Sequence, residues 1–119
     1  MNRMRRLVLG GAAACSMALA TVALAHHGWS GYQEELLKVT GVIEQSSYSN
    51  PHGSIHLKAP DKTWVVVLAP TSRMTNRGLT ADMLKVGASV SVEGYQRSTD
   101  QTEMRAERIS VDGKTIELR

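Results

Sequence analysis

From Leu36 onward the chain alternates apolar and polar residues in short runs, and most of these runs stop at a glycine or proline signal. A period of two sends successive side chains to opposite faces of a strand, so these runs predict β-structure and exclude amphipathic helices. Residues 36–46 place Leu37, Val39, Gly41 and Ile43 on one face, with Gly41 marking an expected bend or bulge. Residues 54–59 alternate again, with Ile55, Leu57 and Ala59 together. Residues 63–69 are apolar on both faces around Trp64-Val65-Val66-Val67-Leu68, which predicts the most buried strand. Residues 88–95 direct Ala88, Val90 and Val92 inward. Residues 103–111 direct Met104 and Ala106 inward, then Ile109 and Val111, so the phase slips by one near Arg108 as at a β-bulge.

The punctuation is equally informative. Residues 46–53 read Ser-Ser-Tyr-Ser-Asn-Pro-His-Gly, a loop. Pro60-Asp61-Lys62 predicts a tight connection, and Asp112-Gly113 a hairpin turn into a short last strand over residues 114–118. The one break in the β pattern lies at residues 70–79. There Pro70 at a first helical position and Gly78 after the last turn bracket a short helix, with a second helical turn before Gly87. Three strands, a short helix, two strands and a short sixth make a mainly all-β chain. Their order is that of an OB-fold-like five- to six-stranded barrel, with the helix between strands three and four. Closure hides sheet edges, which suits a chain this small. A flat sheet backed by the helix is the alternative.

Before the strands stands a segment of another kind. Arg3, Arg5 and Arg6 precede an apolar run over residues 7–24 that ends Ala23-Leu24-Ala25. A basic start, an apolar stretch and a small-x-small end predict a signal peptide over residues 1–25, cut before His26. The stretch is long enough to be read as an anchor, but its small residues and Ala-x-Ala end favour cleavage. Sec and Tat export both fit Arg5-Arg6. The single cysteine, Cys15, lies inside this segment without the preceding Leu of a lipoprotein site. The expected product is one periplasmic domain, residues 26–119, with no stable membrane anchor and no cysteine, so thiol chemistry is excluded from it.

Cleavage also changes the charge. The full chain carries 14 Lys and Arg against 11 Asp and Glu. Three of the basic residues and none of the acidic ones precede His26, leaving 11 against 11 in the mature chain. Arg97, Arg105 and Arg108 are interleaved with Asp100, Glu103 and Glu107. A neutral domain without a basic stripe is not expected to bind nucleic acid.

His26-His27-Gly28-Trp29, Val39-Thr40-Gly41-Val42-Ile43-Glu44 and Ser49-Asn50-Pro51-His52 together resemble a family of short exported bacterial proteins of unknown function. Its members begin with His-His and carry a Thr-Gly-x-Val strand and an Asn-Pro-His loop. Arg77-Gly78-Leu79, Leu84-Lys85-Val86-Gly87 and Val90-Ser91-Val92-Glu93-Gly94 continue the likeness. The chain departs from the pattern at Ser49, Leu79 and Val86-Gly87-Ala88. The resemblance implies export and a small β-barrel, and it assigns no activity.

The histidines are the candidate chemistry. All four, His26, His27, His52 and His56, fall in the first third of the mature chain. A His at a free N-terminus offers its α-amine and its imidazole to one ion. A third nitrogen from a distant imidazole completes a site that favours Cu(II). This histidine brace is similar to that of copper-dependent oxygenases and some periplasmic copper carriers. On a regular strand His52 and His56 would stand ~13 Å apart, too far to share an ion, so one of them is the expected partner. His52, at the loop mouth, is preferred. The plain alternatives are a solvated chain start, a turn-bonding His52 and a surface His56. Met74, Met83 and Met104 are better read as core than as Cu(I) ligands. No nucleophile, metalloprotease or phosphate-loop motif is present, so an enzyme is not expected. The expected partners are a metal ion or, in the metal-free alternative, an envelope protein or small ligand.

Overall fold

The computed structural model describes residues 29–119. The predicted signal peptide, its cut site, Cys15, His26 and His27 lie outside the described residues. Among the described residues no helix is long and apolar enough to cross a membrane.

Among the described residues, six strands follow the predicted order: β1 (Tyr32–Ser47), β2 (Ser54–Lys58), β3 (Thr63–Val67), β4 (Ser89–Arg97), β5 (Asp100–Val111) and β6 (Lys114–Glu117). Helix α1 (Thr71–Asn76) and a 3₁₀ turn (Asp82–Leu84) connect β3 to β4. The sheet order is β3-β2-β1-β4-β5-β6, and a parallel pairing joins β3, at one end, to β5. The ring β1-β2-β3-β5-β4 therefore closes on itself. This barrel-like, OB-fold-like arrangement is the expected one. The flat sheet is set aside by that β3–β5 ladder, which pairs Val65 with Glu103 and Val67 with Arg105.

The inward set is the one the alternation predicts. Ile43, Ile55, Leu57, Val66, Val92, Met104, Ala106 and Ile109 are at most 1 % exposed. Met74 from α1 and Leu84 from the 3₁₀ turn join the same core, so the connection packs into the barrel. Tyr48 holds it in place, donating from its hydroxyl to the Leu79 carbonyl at 2.6 Å. The β4–β5 register passes from Glu93↔Arg108 to Gly94↔Ala106, which makes Glu107 the extra residue of the predicted bulge. Asp112 and Gly113 both have positive φ (50° and 78°), as a two-residue hairpin turn of the predicted kind requires.

Three local expectations are corrected. β1 begins at Tyr32, not near Leu36, because the β4–β5 hairpin continues the ladder: Tyr32 pairs with Arg97 across an irregular stretch. Gly41 is not the bulge. It pairs regularly with Val90, and the β1–β2 register shifts beyond it, between Ile43 and Gln45. Gly41 is needed instead because a Cβ there would lie 2.3 Å from the Lys58 carbonyl oxygen. Pro70 stands one position ahead of α1 with extended ψ (144°), and its carbonyl accepts from the Met74 N–H at 3.1 Å.

Candidate functional site

Residues that pair across a ladder point to the same face. The registers therefore define two neighbouring rows on the outside of the barrel. One runs Gln45–His56–Val65–Glu103 and the other Ser54–Val67–Arg105–Tyr95. His56 is half-buried on β2 at the edge of a shallow hollow of about 80 Å³ with Gln45, Ser46, Ser47 and Ser54. His52 is exposed in the loop before β2. Neither histidine is buried. Among the described residues no group of three His, Cys, Asp or Glu is placed to hold a metal ion. Any site using His52 or His56 needs donors from elsewhere, and His26 and His27 lie outside the described residues.

The second row ends in a cluster that the sequence reading missed. Trp29 meets Tyr95 edge-on at 5.6 Å between ring centroids and Tyr32 at 6.3 Å. The guanidinium of Arg105 lies 4.6 Å from the Trp29 ring centre and that of Arg119 5.0 Å. Trp29 is thus held by aromatic contacts and by two cations over its π-system. A turn follows it, in which the Tyr32 N–H donates to the Trp29 carbonyl at 3.3 Å and Gly31 takes φ 88°. The available signal was Trp29 directly behind His26-His27-Gly28. Its docking surface could not be read, because Tyr95, Arg105 and Arg119 meet only through the barrel. Trp29 thus docks on β4 and β5.

Around the cluster, cations and carboxylates are matched. Arg97 pairs with Glu103 at 2.7 Å, and Arg119 reaches Glu107 at 3.5 Å. Arg108 bridges Glu117 at 2.8 Å and Glu93 at 2.9 Å, and these two carboxylates hold its guanidinium well above its ordinary pKa. The Asp100 carboxyl is pulled down by hydrogen bonds from the Thr102 hydroxyl and N–H.

The Tyr32 phenol is pushed up, first by burial and then by the Glu103 carboxylate, against the opposing pull of Arg97 and Arg105. Because its folded pKa is raised, the contribution of Tyr32 to stability is fully present below its ordinary pKa of about 10 and is lost as pH rises through the folded value. Urea melts at stepped alkaline pH should show stability falling from about pH 10 upward, and Tyr32→Phe should flatten that fall. An unchanged slope in the variant would remove Tyr32 from the explanation.

A model of a family of unknown function, DUF6152, matches residues 14–105. No curated protein matches the chain.

Proposed function

The chain belongs to the DUF6152 family of unknown function, and from that premise we propose that it is a small periplasmic metal-binding module, with copper the favoured ion. The ligands in this reading are the α-amine and imidazole of His26 with one strand or loop imidazole, His52 or His56. His27 is the remaining nearby donor. The observation that carries it is the docking of Trp29. Arg105, against which Trp29 packs, lies two strands from Ser54 through Val67. Two strand spacings are ~10 Å. Three residues of extended chain, from 29 back to 26, also span ~10 Å. A mature chain beginning at His26, three residues ahead of docked Trp29, would then be long enough to reach the face that carries His52 and His56. The site is one of nitrogen donors, which suits Cu(II) better than a hard cation. The ion would supply redox or carrier chemistry, and the chain's own part is to hold it.

Protons compete for these nitrogens. Affinity is expected to rise with pH through the histidine range and through the α-amine range near 7.7–8.0. The test is Cu(II) titration of the protein beginning at His26 and of a form carrying Gly-Ser ahead of it. His52→Ala and His56→Ala are titrated beside them. The extension should weaken binding about 100-fold or more, the loss of a chelating donor worth ~3 kcal/mol. One of the two alanine variants, and not both, should change the copper EPR spectrum. Equal affinity of native and extended forms would discard the brace.

A further inference from the structure

Among the described residues, the first half of β1 has a neighbouring strand on one side only. β4 pairs with β1 from Tyr32 to Val42, whereas β2 joins it only from Val42, opposite Lys58. The Ile43 N–H donates to the Ala88 carbonyl at 2.9 Å, and the Ile43 carbonyl accepts from the Gly87 N–H at 2.8 Å, so Ile43 faces the β4 side. Backbone groups alternate sides along a strand of an antiparallel ladder. Val39 and Gly41 therefore also face β4, and the N–H and C=O groups of Lys38 and Thr40 face away from it. On that side lies a groove of about 300 Å³ between Lys38, Val39 and Thr40 on β1 and Ala59, Pro60 and Asp61 of the β2–β3 connection.

The hairpin does not fill this seam. Its Ala59 N–H turns back to the Lys62 carbonyl at 3.0 Å, and Pro60 has no N–H to offer. Lys62 pins the far wall open, donating to the Gln101 carbonyl at 2.8 Å and lying 4.2 Å from the centre of the Trp64 ring. Among the described residues no backbone group hydrogen-bonds Lys38 or Thr40 on the groove side. Open main-chain groups along a sheet edge are complemented by another extended backbone.

We propose that this seam is a docking site for an extended, acidic peptide segment of a partner protein, which adds as a strand beside Lys38 and Thr40. The side chains around it choose the occupant. Lys38 and Lys58 are exposed and, with Val42 between their registers, lie on the outer face of the sheet. Glu93, opposite Lys38, is held by Arg108 at 2.9 Å and leaves the ammonium available. Asp61 sits at the hairpin end, so the acidic positions of the segment belong beside Lys38. Inward positions meet Val39 and Ala59, each 9 % exposed, which suits small apolar residues. The segment is therefore one that alternates acidic and small apolar residues. The site lies on β1 and the β2–β3 connection, at the opposite end of β2 from His52, and it stands whether or not copper binds.

The probe is the capped peptide Glu-Val-Glu-Val-Glu-Val, with Lys-Val-Lys-Val-Lys-Val as its charge reversal. In the free protein the Lys38 and Thr40 amides should exchange with solvent quickly while those of Val39 and Gly41 are protected. The acidic peptide should slow the first pair at least tenfold and bind about tenfold or more tightly than the basic one. Thr40→Pro removes the groove-side donor on an edge where proline is tolerated, and it should abolish binding. Thr40→Val keeps the N–H and should bind as the native protein does, which separates loss of the donor from loss of the hydroxyl contact to Ser91 at 3.0 Å. Protected Lys38 and Thr40 amides in the free monomer would overturn the proposal, as would no binding of the acidic peptide. Protection that grows with protein concentration would overturn it too, by assigning the seam to a second copy of the chain.

Discussion

Gly94→Ala is expected to destabilise the fold severely. Gly94 is buried in β4 beside the bulge of β5. A Cβ there would lie 2.2 Å from the Arg105 carbonyl oxygen, 2.9 Å from its carbon and 3.0 Å from the Ala106 Cα. All three are backbone atoms, so no rotamer change relieves the contact, and β4 and β5 would have to separate. Overpacking a tight interior commonly costs ~1–3 kcal/mol, and a clash with rigid backbone belongs at or above the top of that range. A domain of this size holds only about 5–14 kcal/mol in total. Gly41→Ala meets the Lys58 carbonyl oxygen at 2.3 Å and should behave alike. Gly78→Ala is the comparison. Nothing lies within 4 Å of its Cβ, and its φ of 88° carries only the left-handed penalty of ~1–2 kcal/mol. Thermal melts by circular dichroism should rank Gly78→Ala well above the other two. Comparable melting of all three would show that the strands part easily at Gly41 and Gly94.

Leu57→Ala should cost ~2–5 kcal/mol, whereas Val65→Ala on the neighbouring strand should cost far less. Leu57 has no exposure and pairs with Ile43 and Trp64, both inside the barrel. Its removal leaves a cavity between strands that cannot collapse, since both neighbours are fixed by ladders. Val65 points to the outer face, in the row of His56 and Glu103, and is half-buried. At ~4–8 °C per kcal/mol for a domain of this size, Leu57→Ala should lower Tm by ~8 °C at the least. Near-equal shifts would mean that the two faces of β2 and β3 are similarly buried, and a larger shift for Val65→Ala that they are reversed.

The period-two pattern by itself determined which face of each strand is buried. Met104, Ala106, Ile109 and Val111 are all inward, and the phase slip between them marked the bulge at Glu107 before any partner strand was known. Asp112-Gly113 and Pro60-Asp61-Lys62 determined their turns for a similarly local reason: positive φ and a missing N–H are properties of single residues. The short helix between β3 and β4 was legible because Pro70 and Gly78 bracket it.

Only the tertiary structure decided where these faces meet. The parallel β3–β5 ladder joins residues some forty positions apart in the chain, and it alone sets Ser54 two strands from Arg105. Gly41 looked like a bulge because a glycine in a strand signals either a bend or a close approach. The choice between them lies in the Lys58 carbonyl, 17 residues away. The contacts of Trp29 were not legible in the sequence, since cation–π and edge-on ring contacts have no sequence period. Its partners Tyr95, Arg105 and Arg119 come from three separate stretches of chain. The seam beside Lys38 and Thr40 was hidden for the same reason. Alternation states which way a side chain points, but whether a strand's backbone has a neighbour on each side depends on where the other strands end.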